Sequence, residues 1–187
     1  AVAPIDLLIG TNRDEWLMYL DPEQKLDDWL AEHLSKTQRA AVLPLLAQFP
    51  SATRALDVLI TAQAFVCPSL RLAAYQSDIT KSVYAYEFNK VRSGKMAASM
   101  GAYHGAELPY VFDTHDDWLP TDETDRALTI LMQHYWANFI KTGNPNSSAA
   151  VPWPPYQTSS ERVLRLDATS DVGQPASAAI CRALAAH

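Results

Sequence analysis

The stretch GAYHGAELPYVFD, Gly101 to Asp113, sets His104 close to two glycines and three residues ahead of Glu107. A histidine that moves protons must reach a nucleophile on one side and an orienting acid on the other. It favours a loop where backbone approaches closely, and glycine permits that approach. A histidine beside a glycine-containing turn is nevertheless more often an ordinary core or surface residue, so the motif needs support. Support comes from Ile5-Asp6-Leu7-Leu8-Ile9-Gly10-Thr11-Asn12-Arg13-Asp14-Glu15, an apolar strand running into a turn that carries Glu15. In open α/β sheets, functional groups gather at the carboxyl ends of strands. The other histidines, His33, His115, His134 and His187, are scattered. His115-Asp116-Asp117 reads as a solvated loop cluster and His134 as a boundary residue of a helix. No Cys/His spacing suggests zinc, and no metal or cofactor is expected. The two cysteines, Cys67 and Cys181, are equally compatible with buried thiols and with a bond.

These residues sit in a chain of 187 residues, 48% apolar and 19% charged, long enough for one domain with a real core. A net charge of −6 offers no basic face to a phosphate backbone and argues against a nucleic-acid partner. No sustained uncharged apolar run reads as a bilayer span, and no signal peptide is visible. Ala1-Val2-Ala3-Pro4 runs directly into the first strand, as though the chain began partway through something.

The positioning elements follow from periodicity. Ile5–Ile9 reads as a short buried strand ending at Gly10, and Asp14–Tyr19 as the opening of a short helix. Leu26, Trp29, Leu30 and Leu34 share one helix face. Helices are expected over about 37–48 and 52–65, and another from Pro68. Ser82–Phe88 is the clearest strand, rich in valine and aromatics. A long irregular segment holding His104 follows it. Leu128, Leu131, Met132, Tyr135, Phe139 and Ile140 then mark a long helix that starts near Pro120 and stops at Gly143. Pro152–Tyr156 and Val163–Leu166 are expected to form an edge hairpin, and 175–186 a closing helix. The aromatics Trp29, Tyr84, Tyr86, Tyr135 and Trp136 are expected in the core. The alternation indicates α/β architecture. Three or four strands this apolar belong inside a larger covered sheet.

With these segments in order, the chain resembles the type-B carboxylesterases, the family that includes the cholinesterases. Gly10–Glu15 resembles the family's G-x-N-x-D-E segment, and His104–Phe112 its H-G-x-E-x-x-F/Y-V-F segment. Phe65-Val66-Cys67-Pro68, the strand through Phe88, Trp136-Ala137-Asn138-Phe139 with Thr142–Asn146, and Trp153-Pro154-Pro155-Tyr156 fall in the family's order. The resemblance covers nearly the whole chain. It implies the C-terminal portion of an α/β-hydrolase fold, helix-rich, with the last few strands of a larger mixed sheet. Residues 1–187 would be the C-terminal part of a single catalytic domain.

The resemblance implies that Glu15 is the acid and His104 the general base of a Ser-His-Glu triad acting on a small-molecule carboxylic ester. In such hydrolases the nucleophile, acid and histidine follow in that chain order. Glu107 matches a family position that is usually structural, with a role in ordering the histidine loop. Trp16 stands where glycine is common in the family and is expected to reshape the wall beside Glu15. Cholinesterase-like members pair cysteines at the places of Cys67 and Cys181. A disulfide here implies an oxidising compartment, secreted or periplasmic.

The nucleophile elbow G-x-S-x-G is absent from this sequence. Of six glycines only Gly101 and Gly105 have that spacing, and they bracket Tyr103. The glycine-rich oxyanion segment is absent too. The expectation is a chain inactive alone, whose partner is the N-terminal part of the same fold, or which self-associates through an exposed sheet edge. A non-catalytic cholinesterase-like binding or adhesion module is the alternative, and a free-standing helical binding domain a more distant one.

Overall fold

Strand β1 (Leu7–Asn12) begins later and runs further than the apolar stretch suggests, continuing through Gly10. Its parallel register with β2 (Val83–Phe88) pairs Leu7 with Val83 and Asn12 with Phe88. Gly10 continues the strand because the Tyr86 ring lies where its Cβ would stand. The computed structural model describes residues 3–80, 82–147 and 151–185; His187 and the last residue of the expected closing helix lie outside these.

Among the described residues the sheet has four strands in the order β1-β2-β3-β4. Strand β3 (Val163–Leu166) runs parallel to β2, and β4 (Asp171–Gly173) antiparallel to β3. The edge hairpin is therefore Val163–Gly173, and Pro152–Tyr156 is not its partner. Three prolines deprive that segment of ladder donors. It runs beside β2 instead, where the Tyr156 amide donates to Val83 O at 2.7 Å and Trp153 Nε1 to Ala85 O at 3.0 Å.

Helices cover both faces. Tyr84 and Phe88 point to α7 (Glu123–Thr142) and bury with Met132, Tyr135, Trp153, Leu164 and Leu166. Met132, Leu164 and Leu166 are completely buried, each contributing roughly 2 kcal/mol of transfer free energy. Val83 and Ala85 point the other way, to Ala73 on α4 (Cys67–Ser77). A third cluster joins α1 (Leu26–His33), α2 (Lys36–Leu46), α3 (Ala52–Thr61) and α8 (Ala178–Leu184) through Leu30, Val42, Leu59 and Ile180.

Local signals set these ends. Ser35 and Gln38 form a capping box at α2, and Asp122 and Asp125 one at α7, which stops at left-handed Gly143. The helix expected over 52–65 does not stop there. It passes through a π-helical turn, Ala62–Val66, into α4. The whole of Ala52–Ser77 is long and apolar enough to cross a membrane by composition. In the fold it packs on β1 and β2 and carries the ion-paired Arg54 and Asp57. The turn expected as a short helix at Asp14–Tyr19 is a 3-10 turn at Leu17–Tyr19. The long segment after β2 contains two short helices, α5 (Lys95–Met100) and α6 (Leu108–Phe112), which flank His104.

Candidate active site

The turn after β1 and the loop between α5 and α6 are stitched together through Asp14 and Ala102. The Asp14 amide donates to Ala102 O at 3.1 Å, and the Ala102 amide donates to Asp14 Oδ2 at 2.7 Å. Asn12 adds a side-chain stitch, its Nδ2 donating to Tyr103 O at 2.7 Å and to Glu107 Oε2 at 2.5 Å. Behind the loop, Tyr110 on α6 donates to the buried Asp125 of α7 at 2.6 Å, and Lys90 lies 3.2 Å from the same carboxylate. The histidine loop is thus fixed from both ends.

Glu15 and His104 meet at its centre. Oε2 of Glu15 lies 2.6 Å from Nδ1 of His104, and Oε1 accepts from the Asn12 amide at 2.7 Å. Both carboxylate oxygens are occupied. An ionised carboxylate only accepts, so the proton of a neutral His104 sits on Nδ1 and Nε2 is the free base. The Glu15 side chain is 6% exposed and that of His104 53%. Nε2 has no hydrogen-bond partner among the described residues. An inward acid and an outward base are the arrangement needed to take a proton from a group approaching the open face.

Burial pushes the Glu15 carboxyl above its ordinary range, opposed by the Asn12 amide and by His104. Asp14 is wholly buried, and burial alone would raise it too. The hydrogen bonds and charge of Arg13, with Arg54 and the Ala102 amide, outweigh burial and hold it below the ordinary range. Arg54 bridges Asp14 at 2.5 Å and Asp57 at 3.0 Å. Burial, and then the neighbouring Asp14 charge, push Asp57 up to about 7.

Trp16 sits against Tyr19 and Phe65, with ring centroids 5.5 and 6.2 Å apart. Phe65 and Tyr19 in turn lie 5.5 and 6.4 Å from the His104 ring. Trp16 therefore shapes the wall beside the histidine through its neighbours.

Glu107 is half-buried and touches the site through Asn12. His115 is not a solvated loop residue. Its Nδ1 lies 2.7 Å from Arg92 Nη2 and its Nε2 2.7 Å from Thr129 Oγ1. His33 stacks on Trp29, and His134 is exposed on α7. Among the described residues no group of three His, Cys, Asp or Glu could hold a metal ion. Cys67 and Cys181 are joined by a disulfide, with Cα atoms 5.3 Å apart. Sequence reasoning assigned no part to Asn12, Asp14, Arg54, Asp57 or Phe65. Asn12 and Asp14 lie inside the quoted Gly10–Glu15 segment, and Arg54 and Asp57 have helical pair spacing. Phe65 lies in the quoted Phe65–Pro68 segment, where nothing local points to the histidine.

A sequence profile of the carboxylesterase family matches residues 3–183. The chain belongs to the carboxylesterase family. Para-nitrobenzyl esterase of Bacillus subtilis (strain 168) is 32% identical over 183 residues, which span 89% of this chain and 35% of that protein. Carboxylesterase 4A of Bos taurus is 36% identical over 111 residues, 58% of this chain and 20% of that one. A solved structure of a PNB esterase superposes with a TM-score of 0.76 at 27% identity, covering 96% of this chain and 38% of that chain. A thermophilic PNB esterase gives 0.77 with the same coverage. The chain thus spans well under half the length of these relatives. Its fold is α/β and helix-rich with a small mixed sheet, matching part of the α/β-hydrolase fold of those esterases.

Proposed function

We propose that this chain supplies the acid and the base of a carboxylic ester hydrolase, with Glu15 and His104 completing a Ser-His-Glu triad. The observation that carries the reading is the 2.6 Å contact between Glu15 and His104 Nδ1, with Nε2 on the open face. Nε2 takes the proton of a serine hydroxyl as its oxygen attacks the ester carbonyl. The same nitrogen then returns that proton to the departing alcohol. Glu15 holds the tautomer and balances the imidazolium charge. Glu107 orders the histidine loop through Asn12.

The 187 residues contain no G-x-S-x-G, so the serine and the oxyanion donors come from residues outside them. Residues 1–187 are then the C-terminal part of one hydrolase domain. The open outer edge of β1 is where the rest of the sheet joins; in the isolated chain that edge is free to pair with a second copy. The substrate is a small-molecule carboxylic ester, and the Cys67–Cys181 disulfide supports an oxidising compartment, secreted or periplasmic. A purely adhesive module has no use for a buried acid oriented on an outward histidine.

The test is hydrolysis of a short p-nitrophenyl ester. The chain alone should show no steady turnover, and the protein joining it to a serine-bearing remainder should. Steady turnover by the purified chain would overturn the division of labour.

A further inference from the structure

We propose that Phe65 is a positioning residue for His104, holding the imidazole plane so that Nε2 faces the substrate side. The role rests on the reading of His104 as the base. His104 has one hydrogen bond among the described residues, at Nδ1. One bond does not hold the ring, because rotation about Cα–Cβ or Cβ–Cγ carries Nδ1 away from Glu15, breaks that bond and frees the tautomer. The ring is half exposed, and Gly101 and Gly105 on either side have positive φ, 67° and 84°. Something else must hold the plane.

Phe65 lies 5.5 Å from the imidazole at an interplanar angle of 51°, with Tyr19 edge-on at 6.4 Å. Trp16 packs against Phe65 and keeps it in place. The helix beneath explains how Phe65 arrives there. Arg54, Asp57, Thr61 and Phe65 follow at three- and four-residue steps and form one stripe along the Arg13–Trp16 turn. Arg54 grips Asp14, Thr61 Oγ1 accepts from the Trp16 amide at 3.3 Å, and Phe65 reaches the histidine.

The downstream residues have a different task. Cys67 must meet Cys181, and Ala73 must meet Val83 and Ala85. The π turn of Ala62–Val66, closed by the Cys67 amide on Ala62 O, re-phases the helix between these two tasks. A π turn inserts one residue into an α-helix and is frequent at functional sites. Here it lets one continuous helix present Phe65 to the histidine and its next turns to the disulfide and the sheet.

The test uses the chain itself, labelled with 15N at histidine and studied while the imidazole is neutral. The wild-type chain should show the two ring-nitrogen shifts of a single Nδ1–H tautomer at His104. In Phe65→Leu these shifts should move towards each other as the tautomers average. Phe65→Tyr, which restores a flat ring, should return the wild-type pattern. Phe65→Met keeps the volume without the flat face. It should behave as Phe65→Leu does, and it serves if that variant does not fold. An unchanged single-tautomer signature in a folded Phe65→Leu or Phe65→Met chain would overturn the proposal.

In the complete hydrolase, Phe65→Leu should lower kcat about tenfold with KM little changed, since even a misplacement of about 1 Å can cost about 100-fold. The two ideas fail separately. A tautomer that depends on Phe65, in an enzyme that still works without His104, would sink the base reading alone. Loss of activity in His104→Ala with Phe65→Leu unchanged in both readouts would sink the positioning role alone.

Discussion

The carboxylate of Asp14 occupies the place where a side chain on residue 101 would stand. Gly101 has φ of 67°, and a Cβ built on it would run into Asp14 Oδ2, the oxygen that accepts from the Ala102 amide at 2.7 Å. The glycine before the histidine is thus required by the acid-bearing turn and not by the histidine.

Gly101→Ala should therefore cost more than Gly105→Ala. A positive φ at a non-glycine residue costs about 1–2 kcal/mol at either position. At 101 the buried, arginine-paired carboxylate must also move, bringing the total to about 3 kcal/mol. At 105 an added Cβ meets only Leu108 Cδ1 at 3.6 Å. Thermal unfolding should show Gly101→Ala lowering Tm by roughly 6–12 °C, with Gly105→Ala falling less. Equal drops would contradict the close approach.

Stability should fall as pH rises from about 4 to 7, and Asp57 should carry part of that slope. Its native carboxyl titrates near 7 against an ordinary value of 3.8, so the native state holds more protons than the unfolded chain between those values. Its stabilising contribution is complete below about 4 and lost as pH climbs through 7. Glu15 and Glu87, also raised by burial, add the same sign. Asp14 is depressed and acts oppositely, its contribution present above about 4 and lost in stronger acid. Asp57→Asn should flatten the decline of Tm between pH 5 and 7.5. A variant whose Tm declines as steeply as the wild type would show that Asp57 is ionised throughout.

The disulfide should carry a large share of the chain's stability. It closes a loop with a sequence separation of 114 residues. Chain entropy then predicts about 4–5 kcal/mol lost on reduction. With about 2 kcal/mol per molar urea for a chain of this size, the midpoint should drop by about 2 M. Coincident urea curves with and without reductant would mean that packing between α8 and the helices around Cys67 suffices alone.

The fold was legible where periodicity and punctuation agreed, and obscure where distant residues decided. The stripe from Leu128 to Ile140, Asp122 and Gly143 mark α7 almost to the residue. The Cys67–Cys181 bond and the Glu15–His104 pair came from family resemblance, because residues so far apart in sequence have no local signature. Val163–Leu166 was read as a strand, but its hairpin partner was missed because Asp171–Gly173 is too short and polar to register. The π turn was invisible because AQAFV is an ordinary helical sequence. Its phase shift is demanded by Cys181, His104 and the sheet together. The part played by Asn12 was hidden for a similar reason. It bonds Glu15 three residues away and Tyr103 and Glu107 across the chain.

The most direct test of the central claim is ester hydrolysis by the complete serine-bearing protein carrying His104→Ala, with Glu15→Gln beside it. Both variants should fold, since His104 is half exposed and glutamine keeps the shape of Glu15. The account predicts that His104→Ala lowers kcat on a p-nitrophenyl ester by roughly 10⁴-fold or more, and Glu15→Gln by about 10³- to 10⁴-fold, with little change in KM. A folded His104→Ala protein that turns over the ester at close to the wild-type rate would contradict it.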